Sequence, residues 1–261
     1  MLKRIAVVDG ESLPIEQLTA ALAGDEVDVA AHRSGEPLPP GATAALPNQA
    51  GSEPLAPLAL ELAGRHTAML ELLADAVDCR EGFLAGSSRR VCAHASRFAE
   101  ALELPPDDRA TLERGALLRD LGKIRIPNTV LLKSGPLTFD EWDSLRQHTV
   151  KGSDLAAQTP GLEDIADILL RHHECYDGDG YPGRLEKDAI PYLARIVKII
   201  DVFCAMTSPR HYRTSHADAS EAIEHIQSER GKHFDPGLVD VFLEHRIGQP
   251  WEASKLAEPQ G

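Results

Sequence analysis

The sequence predicts a mainly α-helical protein with a small α/β extension at its N-terminus. From Leu55 onward, apolar residues recur at intervals of three and four almost throughout, which is the spacing of one buried face of an α-helix. Before that point, residues 3–9 form a short apolar run suited to a buried strand. Residues 15–23 suit a helix, and residues 26–30 suit a second strand.

The larger, helical part divides into segments separated by turn-forming residues. Thr138 and Glu141 have the spacing of a capping box at the start of a helix that ends near His148. The predicted helices cover residues 58–79, 88–103, 108–122, 139–157, 162–173, 191–207, 217–229 and 236–245. These segments together make an all-α domain.

Composition narrows the classes of partner. The net charge of -14 argues against a surface that coats DNA or RNA, so an anionic ligand would need a local group of basic residues.

The four cysteines have no CxxC spacing, and the N-terminal apolar run is too short for a signal peptide. No stretch approaches the roughly 20 apolar residues that span a bilayer. We therefore expect a cytoplasmic protein with reduced thiols and no membrane contact.

The most informative run is residues 172–182, His-His-Glu-Cys-Tyr-Asp-Gly-Asp-Gly-Tyr-Pro. Imidazole is the commonest side-chain ligand for transition metals, and two neighbouring histidines at a helix end can face one ion. The glycines and Pro182 favour a turn directly after them. For an isolated pair, the favoured interpretation is different: the histidines complement a helix dipole before an ordinary turn.

The run resembles the HHExxDGxGYP signature of the HD-GYP family, metal-dependent phosphodiesterases of the HD superfamily that act on cyclic di-GMP. The resemblance extends from about Leu70 to about Leu243, and residues 118–124 stand where the family has LHDIGKI. Further matching positions are Ile126, Pro127, residues 131–133, His148, residues 201–203 and residues 233–236. The resemblance implies the HD-superfamily helical bundle for residues 81–247.

The N-terminal strand-helix-strand pattern resembles the start of a response-regulator receiver domain. Residues 35–57 are rich in Pro, Gly and small residues, which predicts a linker and leaves too little chain for the remaining strands; phosphorylation of Asp9 is therefore not expected. We assign 1–50 to a shortened receiver-like remnant or adaptor, 51–80 to a linker and connecting helix, and 248–261 to a flexible tail. The helix over 58–79 either pairs with a second copy in a homodimer or packs on its own domain.

The resemblance implies a two-metal site. Asp120 would bridge the two ions, His148, His172 and His173 would complete the shell of the second, and Asp201 would bind the first. A transition metal such as Mn, Fe, Ni or Zn suits these ligands.

Three metal-ligand positions depart from the family pattern, for the first metal or an additional one, and Cys204 stands in place of the second Asp of the family's DVFDA. Arg119 replaces the His of the HD pair, Ser87 replaces a His on an earlier helix, and Phe83 stands where some members have a Glu that recruits a third metal. An arginine side chain has no lone pair for a cation. We therefore expect one ion rather than two, or none. Arg119 itself has two interpretations: its guanidinium replaces the missing cation between Asp120 and Asp201, or it turns outward.

The resemblance also supplies a ligand site. Lys123 would approach the scissile phosphate and, with Asp120, take part in catalysis. Arg210 and Arg213 would contact phosphate, and Tyr181 and Asp177 of the signature turn would complete the substrate-binding set.

The predicted function is a degenerate HD-GYP protein of cyclic di-GMP signalling. It binds a cyclic dinucleotide, a partner such as a GGDEF-type diguanylate cyclase, or both, and its phosphodiesterase activity is weak or absent. An active phosphodiesterase that yields pGpG or GMP is the first alternative. A pure protein-interaction scaffold is the second.

Overall fold

A computed structural model provides the fold, and it describes residues 3–8, 27–32, 42–47, 55–81, 86–208 and 218–248. The chain divides into two compact units, Met1–Leu72 and Leu73–Gly261. Among the described residues, we find no helix with the length and apolarity needed to cross a membrane.

The N-terminal unit contains a three-stranded parallel sheet. The strands β1 (Lys3–Val8), β2 (Val27–His32) and β3 (Ala42–Pro47) lie in the order β2-β1-β3, so β1 is central. Strands β1 and β2 confirm the two expected near the N-terminus. Strand β3 lies within the stretch predicted to be a linker, so that prediction was wrong there. Its Ala-rich sequence carries little strand signal, and pairing with β1 stabilises it. The helix expected over 15–23 lies outside the described residues.

The rest of the described chain is helical, which confirms the predicted fold class. The α-helices are α1 (Leu55–Cys79), α2 (Ser87–Ala101), α3 (Pro106–Leu118), α4 (Asn128–Leu131), α5 (Phe139–Arg146), α6 (His148–Ala157), α7 (Ala166–Arg171), α8 (Tyr192–Thr207), α9 (Ala219–Ser228) and α10 (Pro236–Glu244). Short 3-10 helices cover Leu121–Arg125, Glu163–Ile165 and Lys187–Ala189.

Helix α8 is the central element of the second unit. Its apolar residues Ile196, Ile199, Ile200 and Phe203 are buried, because they recur on the faces that pack against the other helices. The same core cluster takes buried residues from α2, α3, α7, α9 and α10. Because the other helices surround α8, its position is fixed, and so is the position of Asp201, which belongs to α8.

Two predicted helices are interrupted where candidate site residues lie. The helix expected over 108–122 ends at Leu118 and gives way to the 3-10 helix that follows Asp120. The helix expected over 139–157 is divided at Gln147, so α5 ends at Arg146 and α6 begins at His148. The end of α5 at Arg146 confirms the helix end expected near His148. Apolar spacing continues across both breaks, so it predicted neither the end of α3 at Leu118 nor the separate start of α6.

Gly122 brings two of these elements into backbone contact. A Cβ atom on Gly122 would lie 1.8 Å from the carbonyl oxygen of His148 and 2.5 Å from the backbone nitrogen of Gly152. Only a residue without a side chain fits this approach. The contact places the 3-10 helix beside the start of α6, and therefore Asp120 beside His148.

Candidate metal and ligand site

Three histidines from two helix ends meet in one cluster. His148 begins α6, while His172 and His173 directly follow α7. One ring nitrogen from each of the three lies within 4.8 Å of the others, a spacing at which the group could hold a metal ion. The structure thus brings together the three imidazoles that the sequence assigned to one ion.

Hydrogen bonds orient two of these rings. The Nδ1 atoms of His148 and His172 lie 2.7 Å and 3.0 Å from the carbonyl oxygens of Leu145 and Leu169. A carbonyl accepts, so Nδ1 carries the proton and Nε2 keeps its lone pair. Both Nε2 atoms are buried and have no hydrogen-bond partner among the described residues. Such unpaired buried acceptors are what a metal cation would satisfy.

Burial keeps the imidazoles neutral. It lowers the pKa of His172 to about 4, lowers that of His148, and holds that of His173 well below its usual range. Burial is the largest cause of each lowered pKa. Neighbouring positive groups lower the pKa further, and neighbouring carboxylates raise it. Neutral imidazole is the form that binds metal.

Asp120 and Lys123 lie next to this cluster. An oxygen of Asp120 is 3.6 Å from Nε2 of His148 and 3.3 Å from Nζ of Lys123. Lys123 also donates a 2.6 Å hydrogen bond to Glu81. Lys123 therefore stands between two carboxylates, and Asp120 is close enough to the histidines to share an ion with them.

Arg119 points into the site and not toward solvent. Its Nε donates to Asp201 at 2.5 Å and its NH2 group lies 3.2 Å from the second oxygen of Asp120. The residue is buried, and its NH1 group donates to Ser88 and to the carbonyl of Ala116 at 3.4 Å and 3.3 Å. The outward alternative is wrong because it assumed a continuous helix, whereas α3 ends one residue before Arg119.

These ion pairs shift the pKa values of all three groups. Burial by itself would raise the pKa of Asp120, but Lys123 and Arg119 outweigh it and hold that pKa well below its usual range. Burial likewise opposes the lowering of the Asp201 pKa by Arg119. The two carboxylates in turn raise the already high pKa of Arg119 against the effect of burial. All three groups are charged at neutral pH.

The turn after the histidines is held by its own residues. The buried carboxylate of Glu174 accepts hydrogen bonds from the backbone nitrogens of Gly183 and Leu185 at 2.7 Å and 3.1 Å, and from Arg171 at 3.2 Å. Gly180 has no room for a side chain, since a Cβ atom would lie 2.2 Å from the nitrogen of Cys175. The turn places the Tyr181 ring in a stack on His173, with ring centroids 4.8 Å apart.

The site opens into a cleft of about 1030 Å³. The charged and polar side is formed by Glu81, Arg119, Asp120, Lys123, His148, His173 and Asp201, and the largely apolar side by residues 130–137 with Trp142. The volume is in the range that holds a nucleotide-sized ligand.

The charged side was predicted from the sequence except for Glu81, and Trp142 of the apolar side was not predicted. Both residues lie outside the signature runs, and no spacing in the sequence marks them.

The remaining predicted site residues differ in where the structure places them. Tyr181 and Ser87 line the cleft. Asp177 is exposed and is not among the described residues that line it. The carboxylate instead accepts a hydrogen bond from the nitrogen of Asp179, which stabilises the turn. Its assignment to the substrate-binding set stays a prediction. Phe83, Arg210 and Arg213 lie outside the described residues, so their assigned roles stay predictions.

Cys204 replaces an acidic residue of the family pattern and is buried one turn after Asp201. Burial raises the pKa of its thiol to about 12, so it is neutral at physiological pH. It therefore adds no charge beside Arg119. Cys175, after the signature's HHE, is buried as well.

Comparison with known proteins places the second unit in a family. The family described as "HD domain" matches residues 71–238. The chain is 39% identical over 188 residues to the cyclic di-GMP phosphodiesterase response regulator RpfG of Xanthomonas campestris, covering 71% of this chain and 50% of that protein. It is 33% identical over 175 residues to 3'3'-cGAMP-specific phosphodiesterase 2 of Vibrio cholerae, covering 66% and 33%.

A solved structure has the same fold. The crystal structure of a cyclic GMP-AMP specific phosphodiesterase of Vibrio cholerae superposes with a TM-score of 0.53 at 23% sequence identity, over 70% of this chain and 48% of that one. The chain thus spans half or less of the length of these relatives, and the shared part is the helical unit.

Proposed function

This chain belongs to the HD domain family, and from that membership we propose that it binds a cyclic dinucleotide beside a single metal ion and hydrolyses it slowly or not at all. The observation that carries the proposal is the cluster of His148, His172 and His173. Of these, His148 and His173 line the same cleft as Lys123, and the Nε2 atoms of His148 and His172 are buried without a hydrogen-bond partner among the described residues. The names of the relatives, which are cyclic di-GMP and cGAMP phosphodiesterases, support this class of ligand.

The chemistry of the donors fits one divalent transition-metal ion. Three neutral imidazoles and the nearby Asp120 would hold it, a ligand set that suits Zn, Fe, Mn or Ni. Such an ion, when bound, supplies a Lewis acid for a phosphoryl oxygen and lowers the pKa of water. The carbonyls of Leu145 and Leu169 fix two of the rings so that no reorientation is required on binding.

The charges of the cleft explain why ligand binding would depend on that ion. Glu81, Asp120 and Asp201 are three carboxylates, whereas Arg119 and Lys123 are two cations, and Lys133 is paired with Glu141 at 2.5 Å. Without the metal, the charged side has one excess negative charge and repels a phosphodiester. With a divalent ion the sign is reversed, and Lys123 can exchange Glu81 for a phosphate oxygen.

Arg119 is the reason to expect slow hydrolysis. Its guanidinium lies where Asp120 and Asp201 would otherwise hold a second cation, and it satisfies both carboxylates. A guanidinium donates hydrogen bonds but cannot lower the pKa of water as a metal does. Removing a single stabilising donor from an active site costs about 10²–10³ in rate, and loss of a metal should cost at least as much.

Two alternatives remain distinct. An active phosphodiesterase would require that one ion be sufficient for activating the water. A scaffold that binds partner proteins, for example a GGDEF-type cyclase, would require no ligand in the cleft at all. The exposed apolar residues Phe139 and Trp142 on α5 are the feature that favours the scaffold.

The test is a set of three measurements on one sample of the full chain. We expect elemental analysis to give one transition-metal ion per chain, equilibrium dialysis to detect cyclic di-GMP binding that a chelator abolishes, and chromatography to detect little or no pGpG or GMP. The variant His172→Gln should lose both metal and ligand. Two ions with rapid turnover would establish the active enzyme, and metal without ligand binding would establish the scaffold.

A gain-of-function variant serves as the positive control. The double substitution Ser87→His with Arg119→His supplies two imidazoles where the family has them. We expect it to bind a second ion and to raise the hydrolysis rate by 10²-fold or more, on the order of the loss estimated above. An unchanged metal content would mean that Arg119 is not what excludes the second ion.

A further inference from the structure

We propose that Trp142 is the platform on which one purine base of the bound cyclic dinucleotide stacks, so that α5 sets the affinity for the base part of the ligand. This inference rests on the proposed function, since it concerns the ligand of the same cleft. It assigns a binding role to a residue that no signature run contains.

The cleft has two sides of opposite character. Lys123, Asp120 and the histidines make one side charged, whereas Trp142 and residues 130–132 make the other apolar. A nucleotide has the same division, with an anionic phosphate and a flat base whose faces are apolar. A ligand that places its phosphate at Lys123 must therefore lay its base against the side that contains Trp142.

Trp142 is available for this contact. Its exposed fraction is 49%, and that of Leu132, which lines the same cleft, is 52%, which is high for large apolar side chains. Indole offers the widest flat face of any side chain. Base-aromatic stacking contributes about 1–3 kcal/mol per base, and it tolerates different bases because each has a π face.

The platform is also rigid. Thr138 and Glu141 form the predicted capping box at the start of α5, which fixes the first turn of the helix. Glu141 additionally binds Lys133 of the facing loop at 2.5 Å. Trp142 follows Glu141 directly and its backbone N–H donates to the carbonyl of Thr138 at 2.9 Å. Its backbone is therefore held in this first turn before any ligand binds, which limits the entropy lost on binding.

Tryptophan fluorescence makes the contact measurable. Trp142 and Trp251 are the two tryptophans of the chain, so the variant Trp251→Phe leaves Trp142 as the single emitter. Adding cyclic di-GMP to the metal-loaded full-length variant should quench the emission, because a stacked base quenches indole. Equilibrium dialysis of cyclic di-GMP gives the affinity independently of fluorescence.

Three substitutions of Trp142 separate stacking from other effects. We expect Trp142→Ala and Trp142→Leu to weaken cyclic di-GMP binding by roughly 5- to 150-fold, because neither keeps a ring, although Leu keeps an apolar side chain. Trp142→Phe should weaken binding less, because Phe keeps an aromatic ring. Phe139→Ala is the matched control: Phe139 lies one turn earlier on α5, is 78% exposed, and is not among the described residues that line the cleft. It should leave the affinity unchanged.

The outcomes distinguish the two proposals. A wild-type protein that binds metal but no cyclic di-GMP overturns the proposed function and this inference together. Normal binding with equal affinities for the wild type and Trp142→Ala overturns this inference alone. An effect of Phe139→Ala and Trp142→Ala on self-association, without an effect on ligand affinity, would assign α5 to a protein interface and overturn it too.

Discussion

Arg119 is a buried cation that forms ion pairs with two carboxylates, and this arrangement makes it important for stability as well as for the proposed metal content. Its side chain is 4% exposed, so removing it leaves Asp120 and Asp201 close together with less positive charge to separate them. Breaking a buried ion pair by removing one partner costs about 3–5 kcal/mol, because the other charge stays buried.

A double-mutant cycle measures this effect. We expect Arg119→Met to lower the free energy of unfolding of the metal-free protein by about 3–5 kcal/mol, and Arg119→Met with Asp201→Asn to recover part of that loss. Urea denaturation of the four proteins in chelator gives the values. Equal losses in the single and double variants would mean that the carboxylate does not depend on the guanidinium.

His94 predicts a dependence of stability on pH at a distance from the metal site. Its ring packs on Phe203 and its Nδ1 lies 2.8 Å from the carbonyl oxygen of Ile247. Burial lowers the His94 pKa from 6.5 to about 4. Between those two values the unfolded chain binds the proton and the folded protein does not, so stability is complete above pH 6.5 and is lost as the pH falls toward 4.

The matched variant is His94→Gln, which keeps a donor for the carbonyl of Ile247 but does not titrate. Both proteins should be measured without metal, since the histidine cluster titrates in the same way in each. We expect the wild type to lose up to about 3 kcal/mol more than the variant between pH 6.5 and pH 4. Parallel stability curves would show that His94 does not contribute.

At the scale of elements, the site depends on where helices stop. Helix α3 ends before Arg119, and α5 is separated from α6 just before His148. The backbone contact at Gly122 brings these two places together. A side chain at Gly122 would have to displace the carbonyl of His148. The position of a metal ligand therefore depends on a residue that carries no ligand atom.

Two alanine substitutions test this dependence. Gly122→Ala should destabilise the protein by several kcal/mol, at or above the range of about 1–3 kcal/mol for overpacking, and should weaken metal binding because His148 moves. Gly64→Ala is the control, since a Cβ atom there meets none of the described residues within 4 Å, and in a helix it should be neutral or stabilising by up to about 1 kcal/mol. Similar thermal denaturation of both variants would contradict the packing argument.

The helix breaks also mark the limit of what the sequence could predict. Apolar spacing identified the helical segments, and Thr138 with Glu141 formed the predicted capping box. The same spacing continues through residues 119–120 and 147, so it could not show the end of α3 at Leu118 or the separate start of α6, although a helix end near His148 was expected. It also could not choose between the two orientations of Arg119. The His cluster was predictable because its residues stand in a recognisable run. Trp142 and Glu81 were not, because only folding brings them to the cleft.

At the scale of the whole molecule, the net charge of -14 opposes an anionic ligand, so the local effect of one metal ion has to exceed a general repulsion. The same ion would connect the ends of α6 and α7 with the segment at Asp120. Metal binding is therefore expected to stabilise the helical unit as well as to attract the ligand.

Chelation should accordingly lower the melting temperature. At a free metal concentration 100 times the dissociation constant, binding adds about 2.7 kcal/mol to the free energy of unfolding. Differential scanning fluorimetry with and without Zn or Mn measures the shift, and His172→Gln should melt at one temperature under both conditions. A wild-type protein with no response would argue against a metal at this cluster.

Glu174 stabilises the loop formed by the recognisable run, residues 172–182. Its carboxylate accepts hydrogen bonds from Arg171, Gly183 and Leu185, which belong to the loop or flank it. The loop conformation therefore does not depend on an ion, a ligand or a reaction. A chain can therefore depart from the family pattern at Ser87 and Arg119 and still retain every letter of this run. The run indicates how the loop is held, so an assignment of activity from sequence has to include Arg119 and Ser87 as well.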